Sequence, residues 1–244
     1  SAPFKSGDHY YYSRTEEGKQ YRIYCRKVEL DGAEEILLDL NELAKGKSYL
    51  SLGASEVSPN GKILAYCLDT DGSETYTLYF KDLETGQLLP DQIEDVSDVS
   101  WATDNVSLFY TIRDAAKRPH QVLLHKLGNE PKANTVIYQE DDELFRVGIS
   151  RSKDDQIQFL ISEAGNSSEW RFAPADKPEA DFKVIQSRED DHEYSVEHAN
   201  GQFYILSNEN APHFRLQQTS VTTPSKENWQ ELVPHRDDVT LEDF

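Results

Sequence analysis

The sequence predicts an all-β chain, an array of small four-stranded sheets, on three observations. A unit recurs roughly every 47 residues; each unit holds four short strand-like runs; and helical periodicity is almost absent. The recurrence is anchored by turns placed ahead of an apolar run. Ser6-Gly7-Asp8 precedes Tyr10-Tyr11-Tyr12, and Ser58-Pro59-Asn60-Gly61 precedes Lys62 to Cys67. Thr103-Asp104-Asn105 precedes Val106 to Thr111, Lys153-Asp154-Asp155 precedes Gln156 to Ile161, and Asn200-Gly201 precedes Gln202 to Leu206. The anchors Gly7, Gly61, Asn105, Asp155 and Gly201 lie 54, 44, 50 and 46 residues apart. A repeat of this size cannot bury its apolar faces alone, so its copies must stack.

Within each unit the order of elements is the same. A short inner run comes before the anchor: Ala54 to Val57, Val96 to Trp101, Leu144 to Ile149 and Tyr194 to Glu197. The anchored run follows it. A further alternating run comes next, at Tyr21 to Lys27, Thr75 to Lys81, Gln121 to Lys126, Ser168 to Phe172 and Phe214 to Thr219. The outer run closes the unit, at Ile36 to Leu38, Gln87 to Leu89, Thr135 to Tyr138, Phe182 to Ile185 and Trp229 to Val233. β-Branched and aromatic residues fill these runs, and Gly, Asn, Asp and Pro separate them, which is strand-and-turn chemistry. Four strands in about 47 residues is the arithmetic of a β-propeller blade; a β-sandwich does not predict so steady a period. The expected blades are 1–44, 45–94, 95–142, 143–190 and 191–238, with 239–244 opening the next inner strand. The one helical stretch, Leu40 to Lys47, reads as a single turn between blades with Asn41 as its cap.

Composition narrows the classes of function. The 244 residues carry 45 Asp and Glu against 25 Lys and Arg, a formal net charge of -20. Such a field repels nucleic acid and anionic lipid and attracts basic partners. The mean hydropathy is -0.72, and no apolar stretch approaches the ~20 residues of a spanning helix. Only Cys25 and Cys67 are present, both inside strand-like runs, and reduced thiols packed as small hydrophobes are expected. That fits a cytoplasmic location, with the periplasm as the alternative.

The acidic residues follow the repeat. Asp95, Asp142, Asp191 and Asp238 fall 47, 49 and 47 residues apart, inside the pairs or runs containing Glu94, Asp141, Asp190 and Asp237. All sit where an outer strand returns to the next inner strand. In a propeller these connections share one face near the axial opening. These eight residues form the candidate acidic rim, a device for concentrating cationic ligands; the competing reading is a set of solvated loops.

No catalytic machinery is visible. Gly46-Lys47-Ser48-Tyr49-Leu50 and Gly53-Ala54-Ser55-Glu56-Val57 both lack the closing glycine of a G-x-S-x-G elbow. The run Asp69-Thr70-Asp71-Gly72-Ser73-Glu74 places glycine too early for a calcium loop. Seven histidines occur without an HExxH or clustered carboxylates; His192 and His198 flank one inner strand, and His120 and His125 fall in another run. The sequons at Asn105 and Asn166 are short enough to arise by chance. No catalytic residue, metal ligand or cofactor is therefore assigned.

Several stretches carry a family resemblance. Tyr10-Tyr11-Tyr12-Ser13-Arg14, Glu34-Glu35-Ile36-Leu37-Leu38-Asp39, and Ser58-Pro59-Asn60-Gly61 followed by Leu64-Ala65-Tyr66 resemble the prolyl oligopeptidase family. Phe80 to Gly86, Arg118 to Val122 and Asp191 to Ser195 resemble its oligopeptidase B, or protease II, branch. The resemblance implies a seven-bladed propeller, of which about five blades are present here, followed by an α/β-hydrolase domain. That domain, absent from this chain, would hold the Ser-Asp-His triad. The propeller would cap it and admit short peptides, cleaved after Arg or Lys in that branch. The expected partners are the hydrolase domain and basic oligopeptides. An arc with uncovered end faces would also self-associate. The alternatives are a stand-alone propeller that binds proteins through its acidic face and, more remotely, a propeller glycosidase with carboxylates converging on the axis.

Overall fold

The computed structural model describes residues 1–243. Every sheet is a four-stranded antiparallel meander in which sequence neighbours pair. The first contains β1 (Phe4–Ser6), β2 (His9–Arg14), β3 (Ile23–Lys27) and β4 (Glu35–Asp39). A one-turn helix, α1 (Leu40–Leu43), leads out of it. The second contains β5 (Ser51–Val57), β6 (Ile63–Asp69), β7 (Thr77–Asp82) and β8 (Leu88–Ile93). The third contains β9 (Val96–Trp101), β10 (Ser107–Arg113), β11 (Pro119–Lys126) and β12 (Thr135–Gln139). The fourth contains β13 (Arg146–Arg151), β14 (Ile157–Ala164), β15 (Ser167–Pro174) and β16 (Lys183–Gln186). The fifth contains β17 (Tyr194–Ala199), β18 (Gln202–Ser207), β19 (Arg215–Ser220) and β20 (Gln230–Val233). Five sheets of four strands are the blades the repeat predicts. The chain divides into two compact units, Ser1–Ser97 and Asp98–Phe244.

The repeat has a backbone cause. All five anchors adopt positive φ: Gly7 +56°, Gly61 +74°, Asn105 +64°, Asp155 +61° and Gly201 +73°. Glycine enters this left-handed region freely, and Asn and Asp enter it at a tolerable cost, so the same few residue types recur at the same turn. Each turn connects an inner strand to the strand beside it, which in the later sheets carries the largest buried side chains. Phe109, Leu160 and Ile205 on those strands are at most 1% exposed.

The cores lie between sheets. In the first unit, Leu37, Leu38 and Leu40 pack with Leu64, Tyr66 and Leu68 of β6. In the second unit, Phe109, Val122 and Leu124 of the third sheet pack with Val147, Ile149 and Leu160 of the fourth. The fourth and fifth sheets share Phe159, Phe172, Val196, Phe203 and Ile205, and the Phe172 and Phe203 rings meet edge-on at 4.9 Å. Cys25 and Cys67 are buried free thiols in the first unit.

At the anchor-turn end, polar staples fix neighbouring sheets. Within the first unit, the Arg26 Nη1 donates to the Gly61 carbonyl at 2.6 Å while its other nitrogens hold Glu35. Within the second unit, the Arg151 Nη1 donates to the Trp101 carbonyl at 2.5 Å. There His198 Nδ1 also meets Asp154 Oδ2 at 2.8 Å, and the Lys153 amide donates to Glu197 at 3.1 Å.

Three local expectations are corrected. The helix ends at Leu43, and its cap is Asp39, whose carboxylate accepts from the Asn41 amide. Asp39 has the extended backbone of a cap, whereas Asn41 already lies inside the turn. The inner strand expected from Leu144 begins at Arg146, because the Phe145 amide closes a turn onto the Asp142 carbonyl at 3.0 Å. At the end of the described chain, Val239 forms only an isolated bridge with Arg236, and Thr240 to Asp243 form no strand. The Leu241 amide donates instead to the His213 carbonyl at 3.0 Å. Phe244, counted in the same expectation, lies outside the described residues.

Candidate functional site

The eight rim residues all fall on connections between an outer and the next inner strand, but their carboxylates are not equivalent. Glu94 is exposed and Asp95 half-buried between β8 and β9. Asp141 and Asp142 are exposed between β12 and β13, as are Asp190 and Asp191 between β16 and β17 and Asp237 and Asp238 beyond β20. Asp141 accepts from the Gln139 amide at 2.6 Å, and Asp142 accepts from the Leu144 backbone amide at 3.0 Å. Asp191 accepts from the Asn166 amide, and Asp238 forms a two-point pair with Arg236. Asp237 faces His235 at 3.8 Å. Glu94 and Asp190 have carboxylates with no partner among the described residues. Asp95 and Asp191, both at φ +59°, take the same left-handed turn into the next inner strand. Part of the acidic periodicity is therefore turn chemistry: Asp tolerates this conformation better than most residues.

Beneath the loop joining β12 to β13 lies a buried network that the periodicity does not reveal. Glu140, 3% exposed, accepts from the Ser162 hydroxyl at 2.6 Å, the Tyr138 hydroxyl at 2.9 Å, the Asp142 amide at 3.0 Å and Arg188 Nη1 at 2.9 Å. Burial pushes its carboxyl up, but these donors more than offset that, and it falls from 4.5 to about 2. The Arg188 guanidinium stacks on the Phe145 ring, 3.8 Å from the centroid. From the β10–β11 turn, Arg118 Nη1 donates to the carbonyls of Asp142 and Phe145, each at 2.7 Å. Two arginines thus hold a loop that presents Asp141, Asp142 and Glu143 to solvent. A charged residue just after an outer strand is all the sequence shows of this.

At the same end of the fourth and fifth sheets lies a cavity of about 630 Å³. Arg146 at the head of β13 and Glu163 near the end of β14 face each other in strand register yet form no ion pair. Ser167 and Trp170 of β15 and Tyr194 of β17 form the inner wall. Glu193, Phe214 and the segment Thr240 to Glu242 complete it. Its floor is rigid: the Tyr194 amide donates to Ser168 Oγ at 2.8 Å, Ser168 Oγ donates to the Tyr194 carbonyl at 2.9 Å, and the Trp170 amide donates to the Tyr194 hydroxyl at 2.8 Å. Burial pushes the Tyr194 phenol up, so it stays neutral. Phe214 is held at φ +60°, a strained conformation for a bulky residue. Glu193 lies two residues after the third acidic run in sequence, beyond His192; Glu163, on a strand, carries no such signal.

The remaining candidates resolve into structural roles. The Asp69 carboxylate is occupied by the amides of Asp71, Gly72 and Glu74 in its own turn. His192 is buried, with Nε2 3.0 Å from Ser207 Oγ, and His198 is engaged with Asp154. Among the described residues, no group of three or more His, Cys, Asp or Glu is placed to hold a metal ion.

Five four-stranded antiparallel meanders, an inner-to-outer strand order within each, and acidic return loops define a β-propeller domain. The match to known families is complete in length: residues 1–244 fit the model of the prolyl oligopeptidase N-terminal β-propeller domain, and the chain belongs to that family. It is 34% identical over 263 residues to dipeptidyl aminopeptidase BI of Pseudoxanthomonas mexicana, covering 100% of this chain and 36% of the relative. It is 34% identical over 258 residues to Protease 2 of Moraxella lacunata, covering 98% and 37%. Among solved structures, oligopeptidase B from Leishmania major superposes with a TM-score of 0.93 at 28% identity, over 100% of this chain and 35% of that one. The chain thus spans about a third of the length of these relatives.

Proposed function

We propose that this chain is the non-catalytic, gating and substrate-steering part of a serine oligopeptidase whose α/β-hydrolase domain lies elsewhere in the longer protein. One observation carries the reading: a full-length match to the propeller domain of peptidases, joined to a sequence with no G-x-S-x-G elbow. The preferred substrates are short peptides cleaved after Arg or Lys. Support comes from the likeness to Protease 2 and oligopeptidase B, and from the net charge of -20. The acidic connections, Glu94 and Asp190 foremost, would raise the local concentration of basic peptides. The longer protein should hydrolyse fluorogenic Arg-containing peptides and lose that activity to a serine-directed reagent, while this chain alone leaves them intact. Turnover by the chain alone, sensitive to the same reagent, would sink the assignment.

A further inference from the structure

Two Asn-Gly steps occur in the chain, Asn60-Gly61 and Asn200-Gly201, and both asparagines are exposed. The dipeptide has its own chemistry. Glycine carries no side chain to hinder its amide nitrogen, which can close onto the carboxamide carbon of the asparagine before it. The two steps are held differently. At the first, the Gly61 amide donates to the Ser58 carbonyl at 2.7 Å, and Asn60 Oδ1 accepts from the Lys62 amide at 3.0 Å and from Ser58 Oγ at 2.8 Å. The Gly61 carbonyl is also gripped, by Arg26 Nη1 at 2.6 Å. Nucleophile, carboxamide and backbone are all tied into that turn. At the second step, neither the Gly201 amide nor the Asn200 carboxamide has a hydrogen-bond partner among the described residues. Asn200 stands at φ +53° and Gly201 at φ +73°, in a two-residue turn closed by the pair Ala199 and Gln202. The space about Gly201 is open, with nothing within 4 Å of an added Cβ.

We propose that Asn200 is a site of spontaneous covalent modification, by deamidation and isoaspartate formation, and that Asn60 is protected from it by its turn. The Gly201 amide nitrogen attacks Asn200 Cγ. The N–Cγ bond forms, the bond from Cγ to the carboxamide nitrogen breaks, and ammonia leaves with the proton that the amide gives up. Water then opens the cyclic imide. Hydrolysis at Cγ leaves aspartate; hydrolysis at the Asn200 backbone carbonyl leaves isoaspartate, whose main chain runs through the side-chain carbons. Water is the one co-reactant, and nothing is oxidised or reduced. The Asn200-Gly201 turn sets the register of β17 against β18, and Phe203 and Ile205 of β18 are fully buried against the fourth sheet. Isoaspartate adds a carbon to the backbone of a turn built for two residues of fixed handedness, so it loosens this pairing. Aspartate keeps the backbone and adds one negative charge at the end of the sheet where Asp154 and Glu197 lie.

The test incubates the full-length protein at mildly alkaline pH, folded in one portion and unfolded in guanidinium in another. Peptide mapping by mass spectrometry follows conversion of amide to acid at each Asn-Gly step, and labelling by a protein isoaspartyl methyltransferase reports isoaspartate. In guanidinium the two steps should convert at similar rates. In the folded protein Asn200 should convert roughly tenfold or more faster than Asn60, because Asn60 must first break the hydrogen bonds of its turn. Asn200→Gly should remove the folded-state label at this step, and Asn60→Gly should leave it. The comparison of the two steps in the unsubstituted protein stands even where a variant folds poorly. The isoaspartyl fraction, separated by ion exchange, should unfold at lower urea than both the unmodified protein and Asn200→Asp. Equal rates at the two steps in the folded protein, or an isoaspartyl fraction that unfolds together with the unmodified one, overturns the proposal.

Discussion

A carboxylate buried beside a guanidinium stabilises a loop only while it stays ionised, and Glu140 is kept ionised by Ser162, the Asp142 amide, Arg188 and Tyr138. Its folded value, about 2, lies below its ordinary 4.5. The stability it contributes is therefore fully present above pH 4.5 and is lost as pH falls toward 2. Glu140→Gln should lower stability by about 2 kcal/mol, the scale of hydrogen bonds to a charged group, and should flatten the acid limb of a denaturation curve. His192 acts in a different window. Burial, and then the charge of Lys226, lower it below its ordinary 6.5, so its neutral form is the folded one. Stability should be complete above pH 6.5 and decline as pH drops below that value, and His192→Asn should remove this earlier loss in melts taken across the range.

Blades are joined by staples at both ends of their strands, and the staples differ in chemistry. Between the fourth and fifth sheets, Asp154–His198 lies at the anchor-turn end and Ser168–Tyr194 at the loop end. Asp154→Asn should cost about 1–2 kcal/mol by weakening a buried hydrogen bond to a charged group, measured by urea denaturation. At the anchor of the fifth sheet, Gly201 stands at φ +73° with nothing within 4 Å of an added Cβ, so Gly201→Ala should cost about 1 kcal/mol from backbone strain alone. These elements also show what the sequence made legible. The anchors are readable because positive φ restricts residue choice to Gly, Asn and Asp, and the strands because runs rich in β-branched and aromatic residues recur in every copy. The cap at Asp39 was missed because Asp39 ends a strand and caps a helix at once. The cavity was missed because Arg146, Glu163 and Glu193 lie on three separate segments, and only the turn geometry brings them to one end. The spacing of the acidic residues is legible as a period, but not the division between Asp238, paired with Arg236, and Asp190, whose carboxylate has no partner among the described residues.

For the whole molecule, charge and architecture make separable claims. If the acidic face steers substrate, kcat/KM of the longer protein toward Arg-containing peptides should fall several-fold as salt rises from low to physiological strength, because the Debye length shrinks to about 8 Å. A neutral peptide of the same length should show no such dependence, and Glu94→Gln with Asp190→Asn should reduce the slope while leaving kcat intact. The central claim is that this propeller gates a peptidase without performing the chemistry. Its most direct test is to offer the longer protein one Arg-containing cleavage sequence in two forms, as a free short peptide and within an exposed loop of a folded protein. Cleavage of the free peptide and survival of the folded protein is the predicted result; cleavage of both at comparable kcat/KM would contradict the account.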